Sequence, residues 1–128
     1  MGEGRRTILV VDDQPDERTI QRAMLTHLGF EVREAQDGAA ALAAAAESPP
    51  DLVLLDVAMP RMDGFSVCRA LRADPRTEAV PVLFFTASVA GDMAQMAAAA
   101  GAQGILAKPV DPRVVAREVA RVLGEPRS

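Results

Sequence analysis

The chain has 128 residues, of which 49% are hydrophobic and 25% are charged. This is the size and composition of one globular domain, so we expect a single domain with a core over about 7–123 and short flexible ends at 1–6 and 124–128. The net charge of −4 argues against binding to nucleic acid phosphates or to a membrane surface, and it favours proteins or cations as partners.

Five short apolar runs predict β-strands. Four of them are rich enough in apolar residues to be buried on both faces: Ile8–Val11, Leu52–Leu55, Val80–Phe85 and Ile105–Ala107. The fifth, Phe30–Ala35, alternates apolar and charged residues, which is typical of a strand at a sheet edge.

Helices are predicted after each strand. Pro15 suits the first turn of the first helix and Gly29 is placed to end it. Its apolar residues follow at helical spacing: Ile20, Ala23, Met24 and Leu28. The other four helices are expected after four aspartates: Asp37, Asp63, Asp92 and Asp111. Alternating strands and helices predict an α/β protein with a parallel sheet covered on both faces.

The chain has few residues that could form a disulfide or bind zinc. The single cysteine and the single histidine exclude a disulfide and a zinc cluster, so Cys68 is interpreted as a packed side chain and His27 as a surface one. Three methionines are assigned to helix packing: Met24, Met93 and Met96. No stretch resembles a membrane span or a signal peptide, and we expect a cytoplasmic protein.

Polar residues lie at the predicted carboxyl ends of four strands. Asp12 and Asp13 follow the first, Asp56 the third, Thr86 the fourth and Lys108, the only lysine, the fifth. Such ends meet at the ligand-binding edge of an open α/β sheet. Three adjacent carboxylates repel one another, so they imply a hard divalent cation, for which Mg²⁺ is the natural choice. A hydroxyl and an ammonium beside them suggest phosphoryl chemistry with a carboxylate nucleophile.

Each of these residues also has an ordinary structural interpretation. Asp12 and Asp13 are suited to cap a helix, Thr86 to a turn and Lys108 to a solvated surface. Their joint placement at strand ends favours the functional interpretation.

Four segments together resemble the receiver domain of two-component response regulators. They are Val10–Asp13, Leu54–Gly64, Phe85–Ala87 and Gly104–Pro109. The resemblance extends from Ile8 to about Leu123. It implies a flavodoxin-like (βα)5 fold with strand order 2-1-3-4-5.

The resemblance also implies a role for each site residue. Asp56 would accept a phosphoryl group from a sensor histidine kinase or a phosphotransfer protein. Thr86 would be the switch hydroxyl, and Lys108 would pair with Asp56 when the site is empty and with the phosphoryl group when it is filled. The bond between Lys108 and Pro109 is expected to be cis. Beyond its own phosphorylation and dephosphorylation, the chain would catalyse no reaction.

A Mg²⁺ site follows from the same resemblance. Asp13, Asp56 and the backbone carbonyl of Ala58 would bind the cation directly, and Asp12 would reach it through water. Ala58 and Ser88 occupy the two positions that commonly tune the phosphoryl lifetime, and both are small.

One position departs from the family pattern. Receivers usually carry Tyr or Phe three residues before the lysine, where this chain has Ile105. The output surface of the family, formed by the fourth helix, fifth strand and fifth helix, is the expected contact for a downstream protein or a second copy. An arginine stripe on the last helix is either solvated or part of that surface: Arg113, Arg117 and Arg121.

Three alternatives remain open at this point. A receiver-fold interaction domain with an altered or lost switch is suggested by Ile105. A Mg²⁺-dependent phosphatase with an aspartyl nucleophile usually needs a second acid two residues after the nucleophile, where this chain has Ala58. A flavin carrier is the weakest, because no phosphate-binding loop follows the first strand and the chain has no Trp or Tyr.

Overall fold

Within residues 5–87, 89, 91–109 and 111–124, which are those that the computed structural model describes, five strands alternate with five helices. The strands are β1 Thr7–Val11, β2 Glu31–Ala35, β3 Leu52–Asp56, β4 Val82–Thr86 and β5 Gly104–Ala107. The helices are α1 Pro15–His27, α2 Gly38–Glu47, α3 Gly64–Ala73, α4 Met93–Ala99 and α5 Pro112–Leu123. In this part of the chain no helix is long and apolar enough to span a membrane.

All neighbouring strands are parallel, and their order is β2-β1-β3-β4-β5. This confirms the predicted flavodoxin-like fold with β2 at one edge. Successive residues of a strand point to opposite faces of the sheet. Leu9 and Val11 therefore belong to one buried cluster with residues of α2, α3 and α4, whereas Ile8 and Val10 belong to a second cluster with residues of α1 and α5.

The predicted start of β4 was wrong, whereas the expected ends of β3 and β4 are confirmed. β4 begins at Val82 and not at Val80, because Pro81 has no N–H to donate to a neighbouring strand. β3 ends in Asp56, as expected. β4 likewise ends in Thr86.

The predicted apolar face of α1 was also partly wrong. Ile20 is 67% exposed, and Ala23 is exposed as well. The buried residues of this helix are Gln21 and Leu25. The helix is rotated toward Gln21 because that side chain donates a hydrogen bond to buried Asp12, with Nε2 3.3 Å from Oδ2.

Most of the predicted helix starts are confirmed. The side chains of Asp37, Asp63 and Asp111 accept hydrogen bonds from backbone N–H groups in the first turns of α2, α3 and α5, each at 2.8 Å. Asp92 precedes α4 as expected, but its side chain makes no capping hydrogen bond.

The minor side-chain assignments are confirmed with one exception. Cys68 is buried and His27 is exposed. Met24 and Met93 pack against the two buried clusters, but Met96 is 48% exposed, because its side of α4 faces away from the sheet. Ser88 and the outermost parts of the predicted flexible ends, residues 1–4 and 125–128, lie outside the described residues.

Candidate functional site

Three carboxylates meet at the carboxyl ends of β1 and β3. Val11 pairs with Leu55 in these adjacent strands, so the residues that follow, Asp12 and Asp56, lie side by side. One carboxylate oxygen from each of Asp12, Asp13 and Asp56 lies within 4.8 Å of the others. Asp12 is fully buried and Asp56 is 6% exposed. The predicted acidic residues are thus brought together.

Asp56 is held in an environment that disfavours its charge. The pKa of this carboxyl group is raised to about 6, mainly by burial and to a smaller extent by the nearby charge of Asp12. Three interactions oppose the shift: the positive charge of Lys108, a hydrogen bond from the backbone N–H of Ala58 and a side-chain hydrogen bond from Lys108. Asp56 is therefore a buried carboxylate with little compensation from donors, which is the state in which a cation or another electrophile binds well.

Asp12 and Asp13 differ in how much of their hydrogen-bonding capacity is used. Asp12 accepts from the backbone N–H of Gln14 at 2.9 Å, from Lys108 Nζ at 3.2 Å and from the side chain of Gln21 at 3.3 Å. Asp13 is half-buried and accepts one long bond of 3.4 Å from the Gln14 side chain. The carboxylate of Asp13 is consequently the more available of the two for a new ligand.

The ammonium group of Lys108 lies among three carboxylates. Its Nζ is 3.2 Å from Asp12 Oδ2 and 3.5 Å from Asp56 Oδ1, and it forms a still shorter hydrogen bond with Glu17. Burial disfavours the charge of Lys108, but the hydrogen bond to Glu17 and the charges of Asp56 and Asp12 outweigh this effect, and the pKa of the ammonium is raised. The expected pairing with Asp56 is present, although it is not the shortest.

Glu17 was missed by sequence reasoning. It lies four residues before Gln21 on α1, so the two polar side chains share one face of the helix. Gln21 contacts Asp12 and Glu17 contacts Lys108, which places this polar face over the carboxylate cluster. A signal was present in the sequence, because two polar residues four apart in a helix that starts beside the strand ends point toward them. The apolar spacing that includes Ile20 obscured it.

Thr86 and Lys108 are joined through their backbones. Thr86 is 6% exposed at the end of β4, and its carbonyl oxygen accepts a hydrogen bond from the backbone N–H of Lys108 at 2.8 Å. The peptide bond between Lys108 and Pro109 is cis, as expected. Ile105 is half-buried and packs against the cluster that contains Phe84. The main chain therefore fixes the backbone positions from which the side chains of Thr86 and Lys108 extend.

The loop after Asp56 packs tightly against α3. Gly64 donates a backbone hydrogen bond of 2.9 Å to the carbonyl oxygen of Val57. A Cβ atom on Gly64 would lie 2.4 Å from the carbonyl oxygen of Asp56, which is closer than any real contact of this kind. Only glycine lets α3 approach the end of β3 so closely, and this contact fixes the backbone of Asp56.

Two of the three arginines of the predicted stripe on α5 are paired within the chain. Arg113 pairs with Asp111 at 2.9 Å. Arg121 pairs with Glu118 at 2.8 Å and also donates to the carbonyl oxygen of Gln103 at 2.9 Å. Arg117 is exposed. These pairs are solvent-exposed and of the kind that adds little to stability.

The donor set of the acidic cluster fits a magnesium ion. It offers carboxylate oxygens from Asp12, Asp13 and Asp56, two of them on buried residues, and no sulfur or imidazole ligand is near. Hard oxygen ligands and a small number of protein carboxylates are what Mg²⁺ prefers. The fold and the site together define a doubly wound α/β protein with an acidic cluster, a lysine and a threonine at the carboxyl edge of its sheet.

Comparison with known proteins identifies the family. The family model described as the response regulator receiver domain matches residues 8–120. The chain therefore belongs to the response regulator receiver domains of two-component systems.

Individual relatives agree with this assignment. Response regulator PleD of Caulobacter vibrioides is 49% identical over 105 residues, which are 81% of this chain but 23% of PleD. Protein PilH of Pseudomonas aeruginosa is 36% identical over 91% of this chain and 96% of its own length. The receiver domain of the sensor histidine kinase PA1611 from Pseudomonas aeruginosa PAO1 superposes with a TM-score of 0.87 at 33% identity, over 95% of this chain and all of that one. That structure has a magnesium ion coordinated in its active site cleft.

Proposed function

We propose that this chain is a phosphoacceptor module that takes a phosphoryl group onto Asp56 and signals through protein contacts. The observation that carries the proposal is the meeting of three carboxylates within 4.8 Å, with Lys108 Nζ 3.5 Å from Asp56 Oδ1. In the transfer, a carboxylate oxygen of Asp56 forms a bond to phosphorus. The bond between phosphorus and the donor breaks, and its electron pair leaves with the donor. The donor would be a phosphohistidine on a sensor kinase or on a phosphotransfer protein.

The residues around Asp56 have distinct parts in this proposal. Asp13, Asp56 and the carbonyl of Ala58 would hold Mg²⁺, with Asp12 in contact through water, in agreement with its three existing hydrogen bonds. A bound Mg²⁺ supplies positive charge that offsets the charge on the carboxylates and on the phosphoryl oxygens. Lys108 and Thr86 would each bind one phosphoryl oxygen. No general base is needed, because an ionised aspartate has no proton to lose.

Output would use the surface formed by α4, β5 and α5, through contact with a downstream protein or a second copy. Exposed side chains on these elements include Met96 of α4, which is 48% exposed, and Arg117 of α5, and Val89 in the loop before α4 is 38% exposed. Ile105 replaces the usual aromatic residue of this surface, so we propose that its branched side chain and the adjoining backbone transmit the change at Thr86.

The proposal is tested by incubating the purified chain with Mg²⁺ and acetyl phosphate and measuring its intact mass. We expect an increase of one phosphoryl group that is stable in acid, labile in base and absent from Asp56→Asn. The exposed Asp16→Asn variant should retain the adduct.

Two other outcomes would refute the proposal. A folded wild-type chain that forms no adduct would be an interaction domain without a switch. Continuous release of phosphate from many unrelated esters would favour the phosphatase alternative.

A further inference from the structure

Glu17 is a carboxylate that neither the metal site nor the phosphoryl site requires. Nevertheless, its Oε1 lies nearer to Lys108 Nζ than the carboxylate of Asp12 or Asp56 does. Lys108 is the only lysine of the chain. The single ammonium group that is available to bind a phosphoryl oxygen is thus paired most closely with a residue outside the acidic cluster.

We propose that Glu17 is a positioning residue that holds the ammonium of Lys108 while Asp56 carries no phosphoryl group, and thereby lowers the affinity of the site for that group. This inference rests on the proposed function of Asp56. An interaction present only in the empty state stabilises that state, so it reduces binding by the same free energy.

The exposure of Asp12 and of Glu17 indicates which of them Lys108 leaves when it binds a phosphoryl oxygen. Asp12 is fully buried and keeps two further donors, Gln14 and Gln21, so its carboxylate has no other position to adopt. The side chain of Glu17 is 43% exposed, whereas that of Lys108 is 18% exposed. Water can therefore replace Lys108 at Glu17 but not at Asp12. When Nζ turns to a phosphoryl oxygen on Asp56, Glu17 is the partner that is released.

The backbone of Lys108 does not need to move in this exchange. Its N–H is bonded to the carbonyl oxygen of Thr86 at 2.8 Å, which joins the start of the lysine side chain to β4. Its Nζ is already 3.5 Å from Asp56 Oδ1. A rotation of the side chain is enough to exchange Glu17 for an oxygen bound at Asp56.

The test measures how tightly each variant binds beryllofluoride, a phosphoryl analogue, in the presence of saturating Mg²⁺. Fluorine NMR reports the bound fraction, which suits a chain without Trp or Tyr. We expect Glu17→Gln to tighten binding by about threefold to tenfold, the range of a partly exposed ion pair. The matched control is Asp16→Asn. It removes one negative charge from the same first turn of α1, and its affinity should stay within about twofold of wild type because the exposed charge is screened.

A double-mutant cycle with Lys108→Gln separates positioning from a general charge effect. In the Lys108→Gln background, Glu17→Gln should change the affinity by less than about twofold, because the pair no longer exists. A purely structural role of Glu17 in α1 would persist in that background. Urea unfolding of every variant verifies that the comparison is made between folded proteins.

Three results would overturn the inference. The first is an unchanged or weaker affinity in Glu17→Gln, and the second is equal tightening in Asp16→Asn. The third is full tightening by Glu17→Gln when Lys108 is already replaced. Failure of the wild-type chain to bind beryllofluoride and to form the phosphoryl adduct would overturn the proposed function itself, and this inference with it.

Discussion

Burial of Asp56 predicts that the phosphoacceptor destabilises the fold at neutral pH. The carboxyl group is 6% exposed, and burial raises its pKa from 3.8 to about 6. The folded state therefore binds a proton in a pH range in which the unfolded state has already released it. Asparagine has nearly the same shape and no charge, so Asp56→Asn removes this cost while it leaves β3 and its packing in place.

The expected gain in the free energy of unfolding on Asp56→Asn follows from the shift in the pKa of Asp56. A change of about two pKa units corresponds to about 3 kcal/mol, since each unit is worth about 1.4 kcal/mol. Because the pKa is raised in the folded state, the cost arises only when the carboxyl group is ionised. Wild type and Asp56→Asn should therefore be equally stable below about pH 4. The advantage of the variant should grow as the pH rises from about 4 to about 6 and stay constant above that.

Urea unfolding in EDTA at a series of pH values measures this difference. The exposed Asp16→Asn serves as the control and should change the free energy of unfolding by no more than about 0.5 kcal/mol at any pH. Adding Mg²⁺ should then stabilise wild type more than Asp56→Asn, because binding to the folded state adds to its stability. Parallel pH profiles for wild type and Asp56→Asn would refute the reasoning that burial of this charge is uncompensated.

Three further predictions concern two residues at the site and Arg72, which connects α3 to the segments before β4 and β5. Gly64→Ala should lower the free energy of unfolding by more than about 2 kcal/mol and abolish the phosphoryl adduct, as seen by urea unfolding and mass spectrometry, because the new methyl group lies 2.4 Å from the Asp56 carbonyl oxygen. Asp13→Asn should remove most of the Mg²⁺-dependent rise in thermal midpoint, and an undiminished rise would contradict the role of its free carboxylate. Arg72→Lys should lower the free energy of unfolding by about 1–3 kcal/mol, because one ammonium cannot replace a guanidinium that donates to three backbone carbonyls and a glutamine side chain. A variant as stable as wild type in urea would contradict this.

The parallel sheet and the polar residues at its carboxyl edge were predictable from local signals, whereas the strand order followed from the resemblance to receiver domains. Short apolar runs that alternate with capped helices leave few arrangements other than a parallel sheet. The common direction of the strands placed Asp12, Asp13 and Asp56 at one edge of the sheet, and the expected adjacency of β1 and β3 made them neighbours.

The orientation of α1 and the position of Glu17 could not be predicted from apolar spacing, because they depend on side-chain contacts with residues distant in sequence. The apolar spacing of α1 placed Ile20 inward, but the helix instead turns Gln21 toward Asp12 and leaves Ile20 67% exposed. A buried carboxylate is stabilised by each hydrogen bond that it accepts. The bond from Gln21 adds to those that Asp12 accepts from Gln14 and Lys108, and it outweighs the burial of one isoleucine. The spacing of apolar residues gives no information on the hydrogen bonds that a buried carboxylate requires. Glu17 was missed for the same reason.

Repulsion between the carboxylates around Lys108 affects how the site responds to protonation and to cations. Three carboxylates, those of Asp12, Glu17 and Asp56, share the ammonium group of Lys108, and Asp13 lies beside two of them, so every event that adds positive charge or removes negative charge there stabilises the folded state. Protonation of Asp56, cation binding and closer pairing with Lys108 are therefore alternatives that relieve the same repulsion. Thr86 and Lys108 are joined through their backbones, and Lys108 directly follows β5. The event that relieves the repulsion therefore also determines which carboxylate Lys108 faces, next to a strand of the proposed output surface.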